Sequence, residues 1–291
     1  MAEVSAQAVK ALRDQTGAGM MDCKRALPDA GGDLKKAVGL LRERGLAKAG
    51  KREGRATSEG AIAIHLGEGR GGMVEVGCET DFVARTGPFV ELVDSLAREV
   101  SEGEAVTGVD ALLAASIDGE KVADRVTAAI AKLGENVVVK RVARLAVDGS
   151  GVVGGYLHAG GKLGVLVALD TPGAASDVEP LAKDLAMHVA AADPTPIAVD
   201  RDDVPPDVLE AERGIYRKQA EQSGKPEKVV EKIVEGRLRK FTAEICLLQQ
   251  PFVKDPDRSV GELIKEVAGR SGVEVRVAAF ERFRLGGAGE S

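Results

Sequence analysis

The eight residues Met73-Val74-Glu75-Val76-Gly77-Cys78-Glu79-Thr80 recur 91 positions later as Gly164-Val165-Leu166-Val167-Ala168-Leu169-Asp170-Thr171, and this recurrence decides the fold. Each copy is a short, mostly apolar run ending in an acidic residue and a threonine, the pattern of a buried strand that stops at a turn. Helical spacing follows each: Leu92, Leu96 and Val100 after the first, and Leu181, Leu185 and Val189 after the second. These lie 89 positions apart, so the second connection is two residues shorter. Each unit then closes on a β-branched stretch alternating with charge, Asn136 to Leu145 and Gly272 to Phe283. The pattern predicts an α+β core of two related subdomains, residues 59–147 and 148–285, each an antiparallel β-hairpin, a packed helix and a return strand.

The copies differ where strand meets helix. The first continues Glu79-Thr80-Asp81-Phe82-Val83-Ala84-Arg85-Thr86, whereas the second has Pro172-Gly173-Ala174-Ala175 at the matching place. The chain holds six Phe, two Tyr and no Trp, so a Phe set between Asp81 and Arg85 in a turn is a notable use of a scarce residue type. Phe82 either closes the apolar layer beneath the next helix or stands outside as an aromatic anchor for a partner.

Upstream, Val4, Ala8 and Leu12 mark an amphipathic helix that Thr16-Gly17-Ala18-Gly19 stops. Met20 to Ala30 reads as a second helix, and Asp33 as the N-cap of a third carrying Leu34, Val38 and Leu41. Residues 1–45 are therefore expected to form a three-helix bundle. Lys48, Lys51, Arg52 and Arg55 among Gly and Ala suggest a basic linker over 46–58 that leaves the bundle to move. Within the second unit, Val208, Leu209, Ile215 and Tyr216, the turn Ser223-Gly224-Lys225-Pro226, and Val230, Val234, Phe241 and Ile245 predict an inserted helical hairpin over 206–248. The chain closes on a glycine-rich tail, 286–291.

At 44% hydrophobic and 30% charged residues the composition is that of a globular protein. No apolar run reaches the roughly 18 residues of a membrane span, and the N-terminus lacks the basic-then-apolar order of a signal peptide, so a cytoplasmic protein is expected. Cys23, Cys78 and Cys246 are scattered, which indicates neither a disulfide framework nor a zinc site, and no metal or cofactor is expected. Residues 1–55 carry 12 Lys/Arg against 7 Asp/Glu, while the remainder carries 28 against 39. The basic residues of the head are interleaved with acids and lack stacking aromatics, so direct RNA binding is not expected. Docking on an acidic protein accounts for the same asymmetry. Neither Gly17-Ala18-Gly19 nor Gly160-Gly161-Lys162-Leu163-Gly164 has the spacing and hydroxyl residue of a phosphate loop, which argues against direct nucleotide binding.

Taken with Thr16-Gly17-Ala18-Gly19-Met20-Met21-Asp22-Cys23-Lys24, the Asp81-Phe82-Val83-Ala84 segment resembles translation elongation factor Ts, the guanine-nucleotide exchange factor of elongation factor Tu. Met187-His188-Val189-Ala190-Ala191 and the stretch from Ser223 to Phe241 extend the resemblance over nearly the whole chain. The resemblance implies that the N-terminal bundle is ubiquitin-associated-like and binds the G domain of elongation factor Tu, with Lys24 at the interface. It implies that Thr80, Asp81, Phe82, Val83 and Ala84 enter that domain beside its magnesium and phosphate sites. It also implies that His188, Val253 and Lys254 touch the partner, although Lys254 replaces the methionine of some relatives. In the family the helical hairpin is implicated in homodimerisation or in reaching a further domain of the partner; a purely intrachain helical pair is an equal reading of the residues. Some long members add an amphipathic C-terminal helix, and none is expected beyond Gly286.

A hydrolase or transferase would need a nucleophile beside a base, yet three His and three Cys are spread over different units without a Gly-x-Ser-x-Gly or paired-carboxylate motif. A ubiquitin-associated adaptor with an inert core is the other alternative. The reading carried forward is an exchange factor with no chemical step of its own.

Overall fold

The computed structural model describes residues 5–52, 54–103, 106–147, 149–172 and 178–287. It opens with α1 (Ala6–Thr16), α2 (Met20–Asp29) and α3 (Leu34–Gly50). The Ala8 amide donates to the Ser5 hydroxyl at 3.1 Å, and Gly17, at φ 64°, ends α1 in the left-handed conformation that suits glycine. Asp33 caps α3, its Oδ1 accepting from the Lys35 and Lys36 amides. Leu12, Cys23, Ala26, Leu27, Ala37 and Leu41 fill the bundle.

The first subdomain contains β1 (Glu59–Gly67), β2 (Arg70–Cys78), α4 (Asp81–Ala84), α5 (Gly87–Glu102), α6 (Val109–Ala114), the short pair β3 (Ser116–Ile117) and β4 (Glu120–Lys121), α7 (Val122–Leu133) and β5 (Val137–Ala146). The second contains β6 (Gly151–Leu157), β7 (Leu163–Asp170), α8 (Glu179–Ala191), α9 (Pro206–Glu221), α10 (Glu227–Ile245), β8 (Pro251–Phe252), β9 (Asp255–Ser259), α11 (Val260–Ser271) and β10 (Arg276–Arg284). The sheets run β1-β2-β5 and β6-β7-β10, all antiparallel. The repeated octapeptide lies in the central strand of each sheet, β2 or β7, running into the turn that follows, and each return strand pairs with that central strand, as the recurrence predicted.

Alternation along the central strands explains why they read as continuous apolar runs. Val74, Val76 and Cys78 point to the helix side, where they meet Phe89, Leu92, Leu96 and Val100 of α5. Val165, Val167 and Leu169 meet Leu181, Leu185 and Val189 of α8 in the same way. Met73, Leu166 and Ala168 face the opposite side and join Ile62, Leu145, Val153 and Phe283 in a core between the two sheets. The result is helix, sheet, sheet, helix, with both faces of each central strand buried. Close approach depends on glycine. A Cβ on Gly72 would stand 2.4 Å from the Ser101 amide nitrogen of α5, and one on Gly154 would stand 2.5 Å from the Ala182 Cβ of α8. A polar tie reinforces the join. Glu75, 3% exposed, accepts from Arg141 Nε at 2.7 Å and from the Gly286 amide at 3.1 Å, while Arg141 donates to the Arg284 carbonyl and lies 4.1 Å over the Phe283 ring.

Two features depart from the sequence reading. Helix α3 continues to Gly50, five residues into the expected linker, since Leu46-Ala47-Lys48-Ala49 are strong helix formers. The bundle is also docked on the core: Arg42 Nη2 pairs with Asp124 at 2.9 Å, Gly45 abuts Ala131, and Arg52 Nη1 donates to the Ile130 carbonyl at 3.2 Å. The inserted hairpin is as expected. α9 and α10 pair through Ala220, Val230, Val234 and Leu238, and Ala198, Val204, Ile245 and Cys246 seat its base on the body.

Candidate functional site

Strand β2 ends at Cys78, and the chain then makes one short turn of helix, α4, before α5. Four residues cannot hold a helix by their own hydrogen bonds, so the turn needs outside support. Thr80 provides part of it as N-cap: the Val83 amide donates to its Oγ1 at 3.4 Å. The Thr86 hydroxyl donates to the Val83 carbonyl at 2.8 Å and closes the other end. Val83 and Ala84 are half-buried against the apolar layer under α5. The pitch of the turn therefore sends Asp81 and Phe82 outward.

Phe82 is 82% exposed, the most exposed of the large apolar side chains described. Its alternative role, closing the layer beneath α5, is filled by Phe89, which is wholly buried. Asp81 forms an i,i+4 ion pair with Arg85 at 3.1 Å. Glu79, behind the turn, accepts from the Asn136 amide at 2.7 Å and meets Arg55 at 3.4 Å. The Asn136 amide bond, and after it Arg55, holds the Glu79 carboxyl below the usual range in spite of the desolvation that opposes this. Beneath it Cys78 is fully buried, and burial and then the Glu135 charge push its thiol up to about 11. In the second unit Thr171 is buried, and Gly173 to Ala175 lie outside the described residues.

His188 requires a correction. Expected to touch a partner itself, it is 0% exposed near the end of α8. Val253 donates its amide to His188 Nδ1 at 3.2 Å, which leaves the ring proton on Nε2, where it is shared with Gln250 Oε1 at 2.9 Å. Gln250 Nε2 donates in turn to the Pro194 and Glu244 carbonyls. Burial holds the imidazole below its ordinary pKa, and neutrality is what this tautomer requires. The ring supports the backbone of Val253, which is 39% exposed next to Lys254, itself paired with Asp184 at 2.7 Å. On the bundle, Lys24 is exposed on α2 together with Met20 and Met21, each 56% exposed. Sequence reading had not separated this methionine pair from the bundle core.

The structure thus brings Thr80, Asp81, Phe82, Val83 and Ala84 together, sets Val253 and Lys254 over His188, and places Lys24 on the separate bundle. Among the described residues no group of three or more His, Cys, Asp or Glu is arranged to hold a metal ion, and no helix is long and apolar enough to cross a membrane. The chain is of the class of duplicated α+β scaffolds, and among its described residues Phe82 is the one aromatic displayed in the open, on a braced turn. The match to known proteins gives the family. The model of the family described as Elongation factor TS matches residues 79–287. Elongation factor Ts of Clostridium botulinum (strain Eklund 17B / Type B) is 44% identical over 286 residues, covering 97% of this chain and 93% of that protein. Elongation factor Ts of Chlorobium phaeobacteroides (strain BS1) is 44% identical over 293 residues, covering 98% and 100%. The chain belongs to the elongation factor Ts family.

Proposed function

We propose that the protein is the guanine-nucleotide exchange factor of elongation factor Tu, and that it speeds GDP release by inserting Asp81 and Phe82 beside the partner's magnesium and phosphate sites. The observation that carries this reading is Phe82, 82% exposed on a turn braced at both ends. Tight GDP binding rests on phosphate contacts and on a Mg²⁺ that demands near-octahedral geometry, so a small displacement of its ligand shell forfeits much of the affinity. Linkage fixes the rest: a factor that weakens GDP by some ratio is weakened by GDP in that same ratio, and incoming GTP then displaces it. Val253, its amide held by His188, Lys254, paired with Asp184, and Lys24 beside Met20 and Met21 supply contacts away from the nucleotide. The factor itself binds no nucleotide in this scheme and performs no chemical step, and it works in the cytoplasm. The test is release of fluorescent GDP from purified elongation factor Tu. Acceleration that saturates with added protein is expected, and an unchanged release rate sinks the proposal.

A further inference from the structure

The turn bearing Asp81 and Phe82 is braced by a side chain from a distant element. Gly134, left-handed at φ 83°, ends α7, and Glu135 follows it. Both oxygens of the Glu135 carboxylate accept: Oε2 from the Glu79 and Thr80 amides at 3.1 and 2.9 Å, and Oε1 from the Thr80 hydroxyl at 2.6 Å. The next residue returns the contact, its amide donating to Glu79, and Asn136 Nδ2 donates to the Arg55 carbonyl at 3.0 Å. A hydroxyl has one proton to give. Because Glu135 takes it, a lone pair of Thr80 Oγ1 is left facing the Val83 amide, and that contact is the cap of α4. Without the carboxylate the hydroxyl turns freely, two backbone amides lose their acceptor, and the side-chain cap of the four-residue helix is no longer held in place.

We infer that Glu135 is a positioning residue for nucleotide exchange, presetting the turn so that Asp81 and Phe82 need not be ordered at the moment they enter the partner. This rests on the exchange-factor reading above. The charge matters as well as the shape, because only an ionised carboxylate accepts at both oxygens. Glutamine keeps one acceptor for the two amides and turns a donor toward Thr80.

The test measures GDP release from elongation factor Tu over a range of factor concentrations, with wild type, Glu135→Ala, Glu135→Gln, Phe82→Ala and the Phe82→Ala/Glu135→Ala double variant, each with a thermal melt. Ordering even one backbone residue at the moment of entry is worth about a decade, so Glu135→Ala is expected to lower the maximal release rate by about tenfold while the half-saturating concentration moves by less than about threefold. Glu135→Gln, nearly isosteric, is expected to recover part of the loss. In the double variant the Glu135 substitution is expected to cost clearly less than it does alone, since much of its effect acts through Phe82 and only the part carried by Asp81 remains. If wild type does not accelerate release, the exchange-factor reading fails. If wild type accelerates release but Glu135→Ala matches it, or if the two single losses simply multiply in the double variant, the inference about Glu135 fails. Should Glu135→Ala melt before the assay temperature, Glu135→Gln decides alone: a maximal rate equal to wild type overturns the proposal.

Discussion

Removing the Phe82 ring is expected to separate fold from function. With four-fifths of the residue in solvent, Phe82→Ala takes almost nothing from the core, and the melting temperature is expected to stay at the wild-type value. Burying a phenylalanine in a partner is worth about 1.5–3 kcal/mol, so catalysed GDP release is expected to slow by about one to two decades. Stopped-flow release and a melt on one preparation check this, and a collapse of the melting transition would return Phe82 to the core. His188 carries a pH prediction. Its folded pKa is depressed, so at mildly acidic pH the unfolded chain binds a proton that the native state refuses. Its contribution to stability is therefore complete above the unfolded value of about 6.5 and is lost as pH falls below it. The urea midpoint is expected to drop between pH 8 and pH 5.5, and less steeply in His188→Gln; equal slopes would refute the assignment. These two residues also mark the limits of reading a sequence. Phe82 stood out as a scarce aromatic between Asp81 and Arg85, but the residues alone left it either beneath the helix or outside, and only the braced turn decides for exposure. The burial of His188 was not legible, because it is decided by Gln250 and Val253, more than sixty positions away.

Among elements, the two central strands were legible for a reason that also explains their fragility. An octapeptide buried on both faces has little freedom in composition, so its two copies remain alike enough to align within a single sequence. Glycines beside them set how near a helix can lie. Gly72→Ala places a methyl where the backbone of α5 already stands, and α5 cannot yield without disturbing Phe89, Leu92 and Leu96 beneath it. A loss of about 1–3 kcal/mol is expected, read as a lower urea midpoint at unchanged slope. An unchanged midpoint would mean that helix and sheet are more loosely joined than the geometry indicates. The end of α3 was less legible. Basic charge over Lys48 to Arg55 resembles a linker although Leu46-Ala47-Lys48-Ala49 favour helix, and the docking of α3 on Asp124 and Ala131 of α7 has no local signal at all.

For the whole molecule, the join between the halves distinguishes this architecture from two subdomains on a flexible strap. Ile62, Met73, Leu145, Val153, Leu166 and Phe283 are all close to fully buried between the sheets, and the Glu75–Arg141 pair with its bonds to Arg284 and Gly286 locks the edge. Close-packed interiors resist shear, and a hinge across this one would expose the core between the sheets. Phe82 belongs to one half and Val253 to the other, so the span between them is a fixed gauge, like the jaws of a caliper clamped at one setting. A partner that meets both jaws must conform to the gauge, because the caliper cannot flex to absorb the difference.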